Sequence, residues 1–145
     1  MSPRIQIRDK IVSLVKEMTD FSDANVSLYK LDRVDKTPSA SIYLGRMNSE
    51  ISTMGGDTNS FERDLVIMVD FHSDHGTDAD SQCSDWLEEL ETLIYRAEKS
   101  GAFPNAVEDI ALDYAEFRPT STAKERMGDL VTVWMVEFNE ILTAS

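Results

Sequence analysis

Two long β patterns on either side of one amphipathic helix constrain the fold of this chain more than any other feature of its sequence. The first pattern runs from Phe61 to about His72, and the last from about Met127 to Leu142. Between them, Thr77 to Lys99 carries apolar residues at helical spacing, and Ser100-Gly101 is a stop signal. Both β patterns are apolar on two faces at their centres. That is typical of strands that are buried on both sides or covered by a neighbouring subunit.

The residues before the first long pattern predict one helix and two strands. Ser2 is a capping residue and Pro3 suits the first helical position, so a helix should begin there and end near Thr19-Asp20. Its apolar face repeats at spacings of three and four. Weak alternation predicts a strand over 25–34, and clearer alternation predicts a second strand over 40–44 that ends at Gly45.

The remaining segments complete an α-β-β-(β)-β-α-β-β order. Residues 46–60 are polar and contain Gly55-Gly56, which predicts a short strand or mobile arm followed by a hairpin loop. Residues 106–117 read as a strand, and 119–126 as a polar connection. Successive strands favour hairpins, so we predict one α+β domain over 1–145. It should contain a mainly antiparallel mixed sheet with both helices packed on it.

Composition restricts the function classes that suit this chain. Lys and Arg number 14 against 27 Asp and Glu, a net charge of −13. Because duplex DNA is densely negative, such a protein is expected to repel it rather than bind it through a basic patch. The single cysteine excludes an internal disulfide. The sequence contains neither an apolar leader nor a span of about 18 apolar residues, so it predicts neither secretion nor membrane insertion.

One cluster of side chains could in principle bind a metal ion. Asp70, His72, Asp74 and His75 follow one another at the end of the first long β pattern. Their spacing matches no zinc-finger, HExxH or EF-hand signature. A strand end, a turn and an approximate helix capping box at Thr77-x-x-Asp80 would select the same residue types. The sequence therefore assigns no metal and no cofactor.

No other segment carries a catalytic signature. Cys83 lies on the apolar stripe of the second predicted helix and is expected in the core rather than as a nucleophile. Trp86 and Trp134 are also expected in the core, or at an interface if they are exposed. Met47 and Met54 stand in an otherwise polar segment, which can indicate a surface that is covered in an assembly.

The succession of these elements resembles a known family over nearly the whole chain. A short N-terminal helix precedes a Pro-x-(Ala/Ser)-x-Ile-x-x-Gly segment, an arginine-led strand and a capped helix that ends at Gly-Ala-Phe-Pro. A strand with an acidic-aromatic end and a last strand that begins after a glycine follow. This pattern resembles the tail terminator (tail completion) proteins of long-tailed bacteriophages, the minor tail protein U type. The matching segments are 5–18, 38–45, 61–71, 101–104, 113–117 and 128–138.

The resemblance implies a structural protein of the virion and not an enzyme. Such proteins form a hexameric ring on the completed tail tube, stop its polymerisation and present a surface to the head connector or neck protein. DNA passes through the lumen without specific binding, and no cofactor or membrane is involved. The protein would assemble in the host cytoplasm and remain at the head-proximal end of the tail.

By position, the ring and tube contacts are expected on 46–60 and 119–126. Two other classes of function stay open from the residues themselves. One is another neck or head-completion protein, or an α+β protein-binding adaptor. The other, ranked last, is a small metal-dependent enzyme built on Asp70, His72 and His75. The predicted interface residues are Arg46, Met47, Asn48, Met54, Asp57, Asn59, Thr120, Lys124 and Arg126.

Overall fold

The computed structural model describes residues 2–29, 38–73, 78–104, 107–122 and 125–143. Its elements follow the order αβββαββ, so the bracketed extra strand of the predicted order is not a separate element. The helices are α1 (Pro3–Glu17) and α2 (Ala79–Lys99). The strands are β1 (Val26–Ser27), β2 (Ser39–Gly55), β3 (Thr58–Ser73), β4 (Val107–Thr122) and β5 (Glu125–Thr143).

The five strands form one sheet in the order β1-β2-β3-β5-β4. β1 runs parallel to β2, and every other neighbouring pair is antiparallel. Strands β2 and β3 form a hairpin whose turn contains Gly56 at a positive φ of 59°, a conformation that glycine adopts without steric cost. β5 inserts between β3 and β4, so α2 connects two parallel strands. The predicted α+β class with a mainly antiparallel mixed sheet is confirmed.

Both predicted helices are present close to their expected bounds. Ser2 caps α1, with its hydroxyl accepting from the Ile5 amide, and the predicted apolar face is buried. α2 begins at Ala79, after an Asp78 whose side chain makes no capping hydrogen bond. Thr77 of the expected capping box lies outside the described residues. Neither described helix is long and apolar enough to cross a membrane.

The helices cover one face of the sheet and form the core with it. We call this the helix-covered face. An aromatic group made of Phe21, Phe71 and Trp86 joins the segment after α1, the sheet and α2, with ring centroids 5.0–5.7 Å apart. Trp134 is buried on the same face, and its indole N–H donates to the Thr132 hydroxyl at 2.9 Å. Cys83, Trp86 and Trp134 are therefore core residues, as predicted.

Several predicted strand ends are wrong, because strand pairing continues through polar sequence. β2 does not end at Gly45 but continues to Gly55, with bulges between Leu44 and Met47 and between Ile51 and Thr53. Where the prediction placed a short strand or mobile arm followed by a hairpin loop, residues 46–60 are therefore a long paired hairpin. Backbone hydrogen bonds hold it, and these require no apolar side chain.

The other two corrections concern the predicted strand over 25–34 and the predicted connection over 119–126. Within 25–34, only Val26–Ser27 form a strand among the described residues, and 30–34 lie outside them. Within 119–126, β4 continues to Thr122 and β5 begins at Glu125. Thr120 pairs with Met127, so this polar segment is also part of a hairpin that backbone hydrogen bonds hold together.

A glycine at the start of β5 allows close packing between β5 and β4. A Cβ atom added at Gly128 would lie 2.5 Å and 2.6 Å from two ring atoms of Phe117, so the ring would have to move. Changing Gly128 to Ala is therefore expected to lower the free energy of unfolding by about 1–3 kcal/mol. Urea denaturation measures this loss. Adding Phe117→Leu should recover part of it, whereas equal losses with and without the second change would contradict the packing explanation.

Candidate interaction surface

Three strands extend beyond the part of the sheet that the helices cover. Residues 48–55 of β2, 58–64 of β3 and 137–143 of β5 pair with one another, and we call them the distal arm. β4 begins only at Val107, opposite Phe138, so it flanks just the base of the arm. The arm is therefore a narrow, three-stranded ribbon that exposes both faces.

One face of the distal arm is apolar. Ile51, Met54 and Leu142 expose 55%, 74% and 48% of their surface on the side that continues the helix-covered face. Phe61, directly opposite Ile51, is partly covered by the Arg63 guanidinium, 4.8 Å from its ring centre. Exposed apolar side chains grouped in this way typically mark a binding surface.

The Arg63 side chain is fixed at the base of that apolar face. It forms an ion pair with Glu140 at 2.9 Å and donates to the Ser49 hydroxyl at 2.6 Å. These contacts bridge all three strands of the arm and keep the cation in place over Phe61. Glu140 thus neutralises the charge of Arg63, and the Arg63 side chain connects the three neighbouring strands.

The opposite face of the distal arm is acidic. Glu50 lies directly opposite Glu62, and Asp64 lies directly opposite Glu137. Like charges in directly opposed positions destabilise a strand pair. None of these four carboxylates forms an ion pair with a lysine or arginine of the described residues. Within the described chain, this face therefore carries four unneutralised carboxylates close together.

The acidic face continues into an apolar sheet face that no described helix covers, and we call this the open face. Val131 and Val133 are buried at its centre, with Val66, Met68 and Met135 half-buried around them. These valines and methionines produce the doubly apolar strand centres noted in the sequence. The prediction that such strands are buried or covered by a neighbour thus applies to this face.

Buried polar side chains occupy the end of the open face away from the arm. The Tyr43 hydroxyl donates to Asp70 at 2.8 Å, and His72 Nδ1 lies 2.9 Å from an Asp129 carboxylate oxygen. Burial, and then the hydrogen bond to Asp70, raises the pKa of Tyr43 above its usual value. Tyr43 is therefore a hydrogen-bond donor at any physiological pH and cannot serve as a base.

Among the described residues, Asp70 and His72 have no third side chain with which to form the hypothetical metal site. Asp70 and His72 do share the open face, but Asp74 and His75 lie outside the described part. Within that part, no group of three or more His, Cys, Asp or Glu side chains could hold a metal ion. Burial raises the pKa of Cys83 to about 12, with Asp129 and Asp80 adding to the rise, so its thiol is protonated near neutral pH.

The predicted interface residues divide between opposite ends of the sheet. Those from 46–59 lie on the β2–β3 hairpin, and four of them belong to the distal arm or its turn: Asn48, Met54, Asp57 and Asn59. Thr120 and Arg126 lie in the β4–β5 hairpin at the far end, where Thr120 pairs with Met127 and Arg126 with Ser121. Lys124 lies outside the described residues. The structure therefore does not bring the two predicted segments together within one chain.

Sequence reasoning missed the contribution of the C-terminus to the arm. Ile141 and Leu142 end the last long β pattern and stay exposed because β5 continues beside β3 past the end of the helices. Their apolar character after polar Asn139 and Glu140 was the available signal. Its meaning depended on the register between β3 and β5, which is not a local property.

Comparisons with known proteins give likenesses to solved structures alone. No protein-family model and no curated protein matches this chain. A solved structure to which it is similar is a chain from the virion of a native gene transfer agent particle, with 14% identity and a TM-score of 0.39. The match covers 96% of this chain and 92% of that chain. Identity and TM-score are both too low for this likeness to support a functional conclusion.

Proposed function

We propose that this chain is a structural virion protein, a tail terminator that binds as a ring to the completed tail tube of a long-tailed phage. It stops tube polymerisation and then offers a surface to the head connector. The resemblance of segments 5–18, 38–45, 61–71 and 128–138 to the minor tail protein U type suggests this role. The resemblance also suggests six copies in the ring and a position at the head-proximal end of the tail.

The distal arm is the single observation that carries the proposal. Ile51, Met54 and Leu142 expose about half to three quarters of their surface, so burying the rest of each side chain would contribute on the order of 1–2 kcal/mol. The arm is therefore stabilised most in an assembly that covers it. A ribbon of three strands that projects from a compact core reaches a neighbouring subunit or tube without moving the core. These are properties of an assembly protein.

The charge distribution suits a ring through which DNA passes. The net charge of −13 and the opposed carboxylates Glu50–Glu62 and Asp64–Glu137 repel phosphates. DNA in the lumen would therefore slide past without specific binding. The acidic face of the arm is the part of the described chain that suits the lumen best.

The proposed action is mechanical and needs no catalysis. Tyr43, Asp70, His72 and Asp129 are engaged in hydrogen bonds at the end of the open face, and we assign them a structural role. We likewise propose no metal, cofactor or membrane partner. The partners are further copies of this chain, the tail tube protein and the head connector.

The test adds the purified chain to polymerising tail tube protein of the same virus and measures tube lengths by electron microscopy. A terminator shortens the length distribution in proportion to its concentration and is seen as a ring at one tube end. Capped tubes should then join filled heads, whereas uncapped tubes should not. Binding to heads with no effect on tubes would instead identify a neck or head-completion protein. Binding to neither would identify an adaptor.

A further inference from the structure

The sheet ends in two unpaired edges of similar length. β1 pairs with β2 only at Ala40 and Ser41, so the outer edge of β2 from Ile42 onward has no partner strand among the described residues. β4 forms the other edge of the sheet along its whole length. Unpaired edges are templates for pairing with another chain, and proteins usually cover or shorten them. Here both edges are long.

The two edges run in opposite directions. Between β2 and β4 the order is β2-β3-β5-β4, and each of these three neighbouring pairs is antiparallel. A copy rotated about an axis that runs roughly along the strands therefore brings its β4 antiparallel to β2 of the preceding copy. Antiparallel pairing is slightly more stable than parallel pairing, and a head-to-tail contact of this kind forms a ring when the rotations between successive copies add up to a full turn.

We propose that β2 of one copy pairs with β4 of the next, with Asn48 opposite Tyr114, so that the sheets of all copies form one closed barrel. This inference rests on the proposed ring function and specifies its subunit interface. The helices lie outside the barrel, since they occupy the helix-covered face. The open face and the acidic face of the distal arm line the lumen.

The bulges of the two strands agree with this register. β2 and β4 contain two bulges each, and each bulge adds one residue to its strand. Because the added residues are equal in number, paired residues point to the same side of the sheet at both Leu44 and Met54. Residues that face the helices in one copy then meet residues that face the helices in the next. The resulting apolar pairs are Leu44 with Phe117, Met47 with Ala115, Ile51 with Ile110, and Met54 with Val107.

Charge also agrees with this register. Arg46 is exposed and forms no ion pair with any described residue. In the paired edges it lies opposite Glu116, whose carboxylate is shared with the exposed Arg118 at 3.1 Å in its own chain. Opposite charges across a strand pair stabilise it, and this is the central charged pair of the interface.

The geometry of a closed barrel follows from the same register. Within one copy, a line straight across the strands joins Tyr43, Met68, Val133 and Tyr114, which are paired in turn. In the contact with the next copy, however, Tyr114 lies opposite Asn48 and not Tyr43. Asn48 pairs with Asp64, which is four residues from Met68 on β3. Each copy is thus displaced by about 13 Å along the strands over about 19 Å across four strands. That ratio gives a strand tilt of about 35°, which lies within the ~35–45° found in barrels and does not depend on the number of copies.

Paired cysteines test the interface directly. The variant Asn48→Cys/Tyr114→Cys should cross-link on oxidation into a ladder of multimers, and the native thiol at buried Cys83 should not interfere. The matched control is Asn48→Cys/Ala115→Cys, in which the second thiol lies on the opposite face of the sheet. We expect at least about tenfold more multimer from the first variant, because a disulfide cannot bridge thiols that point apart. Equal yields from both would overturn the register.

A charge exchange provides the second measurement. Arg46→Glu should weaken self-association by about tenfold, and Arg46→Glu/Glu116→Lys should restore it. Failure of the exchange to restore association would count against the pairing. Cross-links that form while tubes stay uncapped would uphold the interface and overturn the terminator role. Tubes capped by a chain that never forms the ladder, even when bound, would overturn the interface alone.

Discussion

Changing Ile51 and Met54 together to Asp is expected to leave the chain folded and to lower tail termination by at least about 100-fold. Both side chains are largely exposed in the single chain, so the core loses nothing. In the ring they would be buried beside Ile110 and Val107 of the next copy. Two carboxylates in an apolar contact cost several kcal/mol, and about 2.7 kcal/mol already corresponds to a factor of 100. Tube-capping titrations with the purified variant give the ratio.

The matched control places the same charges on the other face of the same hairpin. Thr58→Asp/Ser60→Asp adds two carboxylates to the acidic face of the distal arm, on a strand that has no free edge. Its capping should stay within a few-fold of the original chain, and circular dichroism should show both variants folded. Normal capping by the Ile51 and Met54 variant would exclude the apolar face of the arm from the function.

Changing Phe71 to Ala is expected to lower the free energy of unfolding by about 3–5 kcal/mol. Phe71 is fully buried and contacts the rings of Phe21 and Trp86, so it joins the sheet to both helical segments. The loss combines the transfer of the ring to water with the cavity that remains. It is a large part of the ~5–15 kcal/mol that stabilises a typical domain. Urea denaturation followed by tryptophan fluorescence measures it.

The size of the cavity separates this effect from a general loss of packing. Phe71→Leu fills most of the space and should cost clearly less than Phe71→Ala. A double-mutant cycle with Trp86→Leu should show coupling, since the two rings are 5.7 Å apart. A cost below about 1 kcal/mol for the alanine variant would mean that the aromatic group does not hold the helices to the sheet.

Local patterns predicted the helices well, because a helix is stabilised by contacts three and four residues apart. Ser2 and Pro3 marked the start of α1, and the stripe containing Cys83, Trp86 and Leu90 is the buried face of α2. The same patterns failed at 46–55. That segment is polar, and its strand conformation depends on hydrogen bonds to β3 rather than on its own side chains.

The candidate surface was only partly predictable for a related reason. Met47 and Met54 pointed to a covered segment, and the structure places them on the hairpin that forms the arm. The contribution of Leu142 could not be seen, since it depends on β5 lying beside β3. Thr120 and Arg126 were grouped with the arm residues by their position in the predicted order, yet they lie in the hairpin at the other end of the sheet.

The sequence by itself determined the charge, the positions of both helices, the alternation of the long strands and hence the α+β class. Each of these follows from composition or from residues close together along the chain. Only the tertiary structure decided that β5 inserts between β3 and β4, and that β2 and β4 become edges running in opposite directions. Strand order and register arise from pairing between distant segments, and so do the free edges from which we infer a ring.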